Sequence, residues 1–347
     1  SVLTENKYGI PPFFRRLMEI FLAAVTWVTI KSLVLLFIFS HKLYPVMDIM
    51  YEWLRDTEVG EITEMGQGVY RIFFQSHIFI VIGLFFLLFL WSKYLSLHYA
   101  DVKTLIRTKK WELITLIALL SGVFSVTIIS FSRSLWVGTL VGIVLWIFLM
   151  GRGRQWKKAA LSFGGVLAIS LASLGLIFII TSFPYPSPMG QFSATQTISE
   201  RTSKAVSGGA AVASRWAMLP QLWEEIKSSP ILGNGFGSTI TYQSSDPRIL
   251  ESTVDGKYTT FALEWGWLSI WFKLGALGLI CYLMLLGKLF LDGYRTSSGG
   301  QWLIYSVITG IVIVAAVNFF TPYLNHPLGI GYIILATVLL DGVRKRM

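Results

Sequence analysis

The stretch "HIFIVIGLFFLLFLW", residues 77–91, holds one histidine and one glycine and is otherwise apolar on every side. A helix of this composition has no polar face to turn toward water, so it must be surrounded by other apolar groups, in a large core or in a bilayer. Comparable runs recur at approximately 15–40, 72–92, 111–131, 135–150, 159–182, 264–291, 301–320 and 327–341. Crossing a membrane takes ~20 mostly apolar residues in helical form. Charged residues make up only 14% of the 347, where soluble chains carry roughly a quarter. The expected fold is therefore an all-α integral membrane protein of about eight transmembrane helices. The run at 264–291 is longer than a bilayer requires and is expected to tilt, bend or begin outside the hydrocarbon.

Basic residues set the orientation. Lys93, Lys103, Arg107, Lys109 and Lys110 fill one joint, and Arg152, Arg154, Lys157 and Lys158 fill another. With Lys7, Arg15, Arg16 and the tail "RKRM" they fall on one face of an eight-span chain, and cationic loops stay cytoplasmic. Both termini are then cytoplasmic. On the opposite face, loop 42–71 has Asp48, Glu52, Asp56, Glu58, Glu61 and Glu64 against three bases. The net charge of +10 is thus a topogenic signal rather than a nucleic-acid surface. No cleavable signal peptide is expected, since the first span is too long and contains Glu19 and Lys31.

Three regions follow. Residues 1–182 form an N-terminal bundle of five spans, to which upstream spans absent from this chain are expected to belong. Residues 183–263 form a large loop on the outer side, and 264–347 carry the C-terminal spans. Ser134, Gly138 and Gly142 stand four apart on one face, a spacing that suits close helix packing. Cys281, the lone cysteine, excludes an intrachain disulfide framework or a multi-cysteine metal site and is expected to be a small buried hydrophobe. His77 is expected to be a hydrogen-bonded packing residue.

Within the loop, "SRWAMLPQLWEEIKSS" repeats Trp216, Leu219, Trp223 and Ile226 at helical spacing. This predicts an amphipathic surface helix, started by Ser214 and open to a kink at Pro220. It is followed by "PILGNGFG", with Gly233, Gly235 and Gly237 at alternate positions. These glycines follow a helix, whereas a dinucleotide fingerprint follows a strand and opens a helix. They therefore allow close approach of the backbone, either to a ligand or to another helix, or they simply end the helix and turn.

The order of these features resembles the superfamily of O-antigen ligases and O-antigen (Wzy-type) polymerases. The resemblance is carried by "ISFSRSLWVG" at the end of a span, "SRWAMLPQLWEEIKSSPILGNGFG" in the large loop, and "LEWGWLSIWFKLGALGL" after it, over roughly residues 111–345. It implies a GT-C-like membrane glycosyltransferase in the bacterial inner membrane, with its active site on the periplasmic side. Such an enzyme moves a glycan from an undecaprenyl-diphosphate carrier to a hydroxyl acceptor, either another glycan or lipid A–core, among membrane lipids. No cofactor, metal or nucleic acid is implied. At Glu264 the ligases commonly carry a histidine, a departure that leans toward a polymerase or another member.

This reaction needs cations for a diphosphate and a base for a hydroxyl. Arginine suits the first because its planar fork holds phosphate oxygens bidentately. Arg133, Arg201 and Arg215 are the candidates for substrate binding, with Gly233, Gly235 and Gly237 shaping the loop around the head group. Their alternatives are a snorkelling boundary residue for Arg133, a solvated loop charge for Arg201 and an interfacial anchor for Arg215. Glu264, an isolated acid at the mouth of an apolar helix, is the first candidate for general base, and His326 in "TPYLNHPLG" the second. A transporter or flippase of an anionic or lipid-linked substrate is the competing reading.

Overall fold

The computed structural model describes residues 12–66, 68–97, 109–151, 156–186, 210–244, 250, 255–295 and 301–344. Six described helices are long and apolar enough to cross a membrane. They are α1 (Pro12–Ser40), α3 (His77–Leu97), α4 (Lys110–Ile129), α5 (Arg133–Gly151), α6 (Trp156–Ser182) and α8 (Gly266–Arg295). Two shorter apolar helices, α9 (Gln301–Val317) and α10 (Pro327–Arg344), accompany them. At 1.5 Å per residue α9 is about 26 Å long, just short of a ~30 Å hydrocarbon layer.

The bundle is built around α3. Its most apolar window is 89% buried, against 17% for α8. Helices α1, α4, α5, α6 and α9 all pack on it, so a helix that is apolar all round is covered by protein all round. The small-residue face of α5 lies where its spacing predicts. A Cβ on Gly138 would stand 2.5 Å from Val317, and one on Gly142 would stand 2.4 Å from the Phe85 ring. The glycines therefore let α5 close on both α9 and α3. His77 is buried at the start of α3, between Ser32 Oγ at 3.0 Å and the Phe74 N–H. The ionised residues inside α1 are also engaged. Glu19 faces Arg15 at 3.6 Å, and Lys31 Nζ sits 4.4 Å from the ring centres of both Trp53 and Phe74, a cation–π clamp.

Between the long helices, the described residues add two short hairpins to a mostly helical fold. The span expected to begin at residue 72 begins at His77. Before it, β1 (Gly60–Gly66) and β2 (Val69–Phe74) form an antiparallel hairpin behind a short amphipathic helix α2 (Tyr44–Thr57). Residues 69–74, "VYRIFF", are β-branched and aromatic around Arg71, which shares a face of the strand with Phe73 and lies over its ring. A second hairpin pairs β3 (Ile240–Gln243) with β4 (Lys257–Thr260). The surface helix α7 (Ala210–Ser228) starts one turn before Ser214 and runs through Pro220. Met218, Leu222 and Ile226 of α7 pack with Ile240, Tyr242, Leu263 and Phe272, a core separate from that of the bundle. Cys281 is exposed on α8 rather than buried, because α8 lies at the periphery.

Helix α8 is broken. Gly275 has φ +68° and ψ −176°, a backbone state open in practice only to glycine. A Cβ on Gly266 would touch Asn318 O, while one on Gly293 would touch Ile308. A straight helix would separate residues 266 and 293 by about 40 Å, yet their contacts, just past the end of α9 and within it, are ten residues, or about 15 Å, apart. The first nine residues of α8 therefore fold back over the end of the bundle.

Candidate active site

The fold-back delivers Glu264, two residues before α8, to the end of α9. Trp267 Nε1 donates to Ala315 O at 3.1 Å and Asn325 Nδ2 to Ser269 Oγ at 2.9 Å, which fixes the start of α8 against the turn that follows α9. Thr321 in that turn donates to Ser134 Oγ at 3.1 Å. Ser134 is the neighbour of Arg133 at the start of α5, and Ser132 Oγ lies 3.0 Å from Ser134 Oγ. The sequence "SFSRS" is therefore a hydroxyl-rich turn whose hydrogen bonds hold Arg133 at the bundle end.

Arg215 comes from the first half of α7. Its Nε donates to Glu264 Oε2 in a close ion pair, and Trp265 Nε1 donates to Arg215 O at 3.0 Å. Trp216 meets Trp265 edge to face with ring centres 5.5 Å apart. The helix and the α8 entry are thus tied by side chain, backbone and ring. Glu264 is half exposed and paired, not the isolated acid that its place in the sequence suggested.

Arg133 feels the positive charges of both Arg215 and Arg71. Arg71 was only one of three bases in an acidic loop at the sequence level. In the fold its Nε donates to Ser130 O at 3.1 Å and its Nη1 to Glu61 Oε2 at 2.7 Å. The side chain is only 15% exposed, so it anchors the "SFSRS" turn to the hairpin from beneath. The signal available was a single charged residue inside "VYRIFF"; its partner, a carbonyl 59 residues away, was not readable. Three guanidinium groups and two carboxylates, Glu61 and Glu264, leave an excess of positive charge at the edge of water. Like charges brought together in this way favour an anion.

The other candidates have surroundings of their own. Leu328 N–H donates to His326 Nδ1 at 3.3 Å, so the acceptor nitrogen of that ring is already engaged. Arg201 lies outside the described residues. Gly233 N–H donates to Ser229 O at 3.0 Å and Gly235 N–H to Lys273 O at 2.9 Å. Those amides are satisfied by protein carbonyls, so Gly233 and Gly235 do not present them to a phosphate. Gly237 has open space around it. Among the described residues, no three His, Cys, Asp or Glu side chains gather in a way that could hold a metal ion.

Residues 116–283 match the family model for O-antigen ligase. No curated protein and no solved structure matches the chain. The matched stretch runs from α4 into α8 and contains Arg133, Arg215, Glu264 and the three loop glycines, whereas Arg71 and His326 lie outside it. With its apolar spans, this match supports a likeness to the superfamily of O-antigen ligases and Wzy-type polymerases across the matched stretch.

Proposed function

We propose that the protein transfers a glycan from an undecaprenyl-diphosphate carrier to a hydroxyl acceptor at the periplasmic face of a bacterial inner membrane. The observation that carries this reading is the Arg215–Glu264 ion pair at the entry to α8, with Arg133 near enough to feel the charge of Arg215. Arg133 and Arg215 hold the diphosphate, whose charge grows as it leaves. Fixed donors aimed at developing charge are the largest single source of catalysis in reactions of this kind. The acceptor oxygen attacks the anomeric carbon of the donor sugar. The bond from that carbon to the phosphate oxygen breaks, and its electron pair stays on the carrier diphosphate. The hydroxyl proton passes to the Glu264 carboxylate.

The pairing adds an order of events. In the resting site Glu264 is paired with Arg215 through Nε. A diphosphate entering between Arg133 and Arg215 competes with that carboxylate and frees it to accept a proton. Gly233 and Gly235 act on this site from behind rather than on the head group. Arg201, in the same loop, is a further contact for the donor, and His326 holds the turn after α9.

The acceptor is another lipid-linked glycan or lipid A–core, and Glu264 in place of a ligase histidine favours the former. The family match gives the transport alternative no support. Purified protein in proteoliposomes, given a polyprenyl-diphosphate oligosaccharide and hydroxyl acceptors, tests the reading. A new glycosidic bond and free carrier diphosphate are expected. Movement of the lipid across the bilayer with no new bond would refute it.

A further inference from the structure

We propose that the "PILGNGFG" turn is a positioning device: inserted into the break of α8, it sets the register between Arg215 and Glu264. The assignment of a catalytic role to that pair rests on the function proposed above; the geometry of the lock does not.

In an unbroken α8, the N–H groups of Ala276 and Leu277 would donate to Phe272 O and Lys273 O, four residues back. The non-helical φ and ψ of Gly275 turn these groups toward the loop. Ala276 N donates instead to Pro230 O at 2.9 Å and Leu277 N to Ile231 O at 3.3 Å. The two released carbonyls accept from the loop, Phe272 O from Asn234 N at 2.8 Å and Lys273 O from Gly235 N at 2.9 Å. Four backbone bonds thus join the loop to the break, giving its displaced polar groups partners. Trp271 Nε1 adds a bond to Pro230 O at 3.0 Å.

Only glycine fits at the contact. A Cβ on Gly233 would lie 2.4 Å from Gly275 N, and one on Gly275 would lie 2.0 Å from Ile231 O. Both residues also have positive φ. Asn234 Nδ2 donates to Glu225 O at 3.0 Å, so the turn is bound to the last part of α7 as well as to α8. Arg215 rides on α7 and Glu264 on the folded-back entry to α8. The lock joins the far ends of these two segments, and the pair joins their near ends. A lock that slips moves the pair, and a displacement of 1 Å can cost ~100-fold in rate.

The test measures geometry without activity. In full-length protein lacking its cysteine (Cys281→Ser), Arg215→Cys and Glu264→Cys are cross-linked in membranes with a short bifunctional methanethiosulfonate. Gly275→Ala and Gly233→Ala are expected to slow cross-linking by roughly tenfold or more, as a shift of this size would. Asn234→Ala, which removes one tie without strain, is expected to slow it by less. Gly175→Ala, at a helical glycine with open space beside it, should leave it unchanged. Rates unaltered in Asn234→Ala and in either folded glycine variant would overturn the lock. Slowed cross-linking in a protein whose parent forms no glycosidic bond would uphold the lock and refute the function. In the active parent, the same variants should lose kcat with little change in KM.

Discussion

Helices α3 and α8 have nearly the same mean hydropathy, 2.3 and 2.1 over their most apolar windows, yet the fold treats them in opposite ways. Helix α3 runs unbroken through the centre with protein on every side. Helix α8 lies at the edge, shares four backbone hydrogen bonds with a loop at Gly275, and folds back. Hydropathy alone places both in a membrane, but it does not say which is scaffold and which shapes a site. The difference comes from glycine chemistry. Gly83 of α3 lies against Val25, where a Cβ would meet its methyls at 2.9 Å, and serves packing. Gly275 of α8 adopts positive φ and serves a change of direction.

The comparison can be broken at the site end first, where the largest effects are expected. Arg215→Ala and Arg133→Ala should each lower glycan transfer by ~10³-fold, the scale seen when a fixed donor to developing charge is removed. Arg215→Lys should also lose most activity, because a point charge does not reproduce the fork. Initial rates in proteoliposomes, alongside thermal unfolding to verify folding, measure this. Near-normal rates in the folded alanine variants would remove these arginines from the mechanism.

At the bundle end the readout changes from rate to stability. Gly142→Leu forces side-chain atoms into the Phe85 ring, where even a Cβ would stand 2.4 Å away. Overpacking of this kind costs about 1–3 kcal/mol and should lower Tm while the residual folded protein keeps its transfer rate per molecule. A lost rate at unchanged Tm would mean that the two regions are not separable in this way.

A smaller effect is expected at the joint between them. Arg71→Ala removes the bonds to Ser130 O and Glu61, loosening the turn that presents Arg133, and should slow transfer on the order of tenfold through misplacement. Because Arg71 acts through Arg133, donor KM should rise with it. The smallest effect belongs to the surface pair Lys227–Glu224, 2.9 Å apart and well exposed. Lys227→Ala should change stability by less than ~1 kcal/mol and leave transfer unchanged.

Much of this was readable from the sequence. The apolar runs located the helices because a span leaves no room for a polar face. The four-residue spacing of Ser134, Gly138 and Gly142 identified a packing seam that the fold uses. Arg215 and Glu264 were singled out by their chemistry, and in the fold they form an ion pair. What was not readable depends on partners distant in the chain. The break at Gly275 exists because residues 230–235 fill it, and a Gly-x-x-Gly helix without that loop would read the same. Arg71 gains its role from a carbonyl on α4. The hairpin at 60–74 was hidden because its second strand is as apolar as the span it precedes. Cys281 was misplaced because an apolar run does not reveal which helix lies at the edge of the bundle.

The central claim is that Glu264 and the carrier diphosphate compete for Arg215, and that the freed carboxylate takes the proton. Binding of undecaprenyl diphosphate and glycan transfer, measured on the same Glu264→Gln protein, test it directly. The account predicts binding at least as tight as in the parent protein, with transfer reduced by at least ~10²-fold. Weakened binding together with preserved transfer would contradict it.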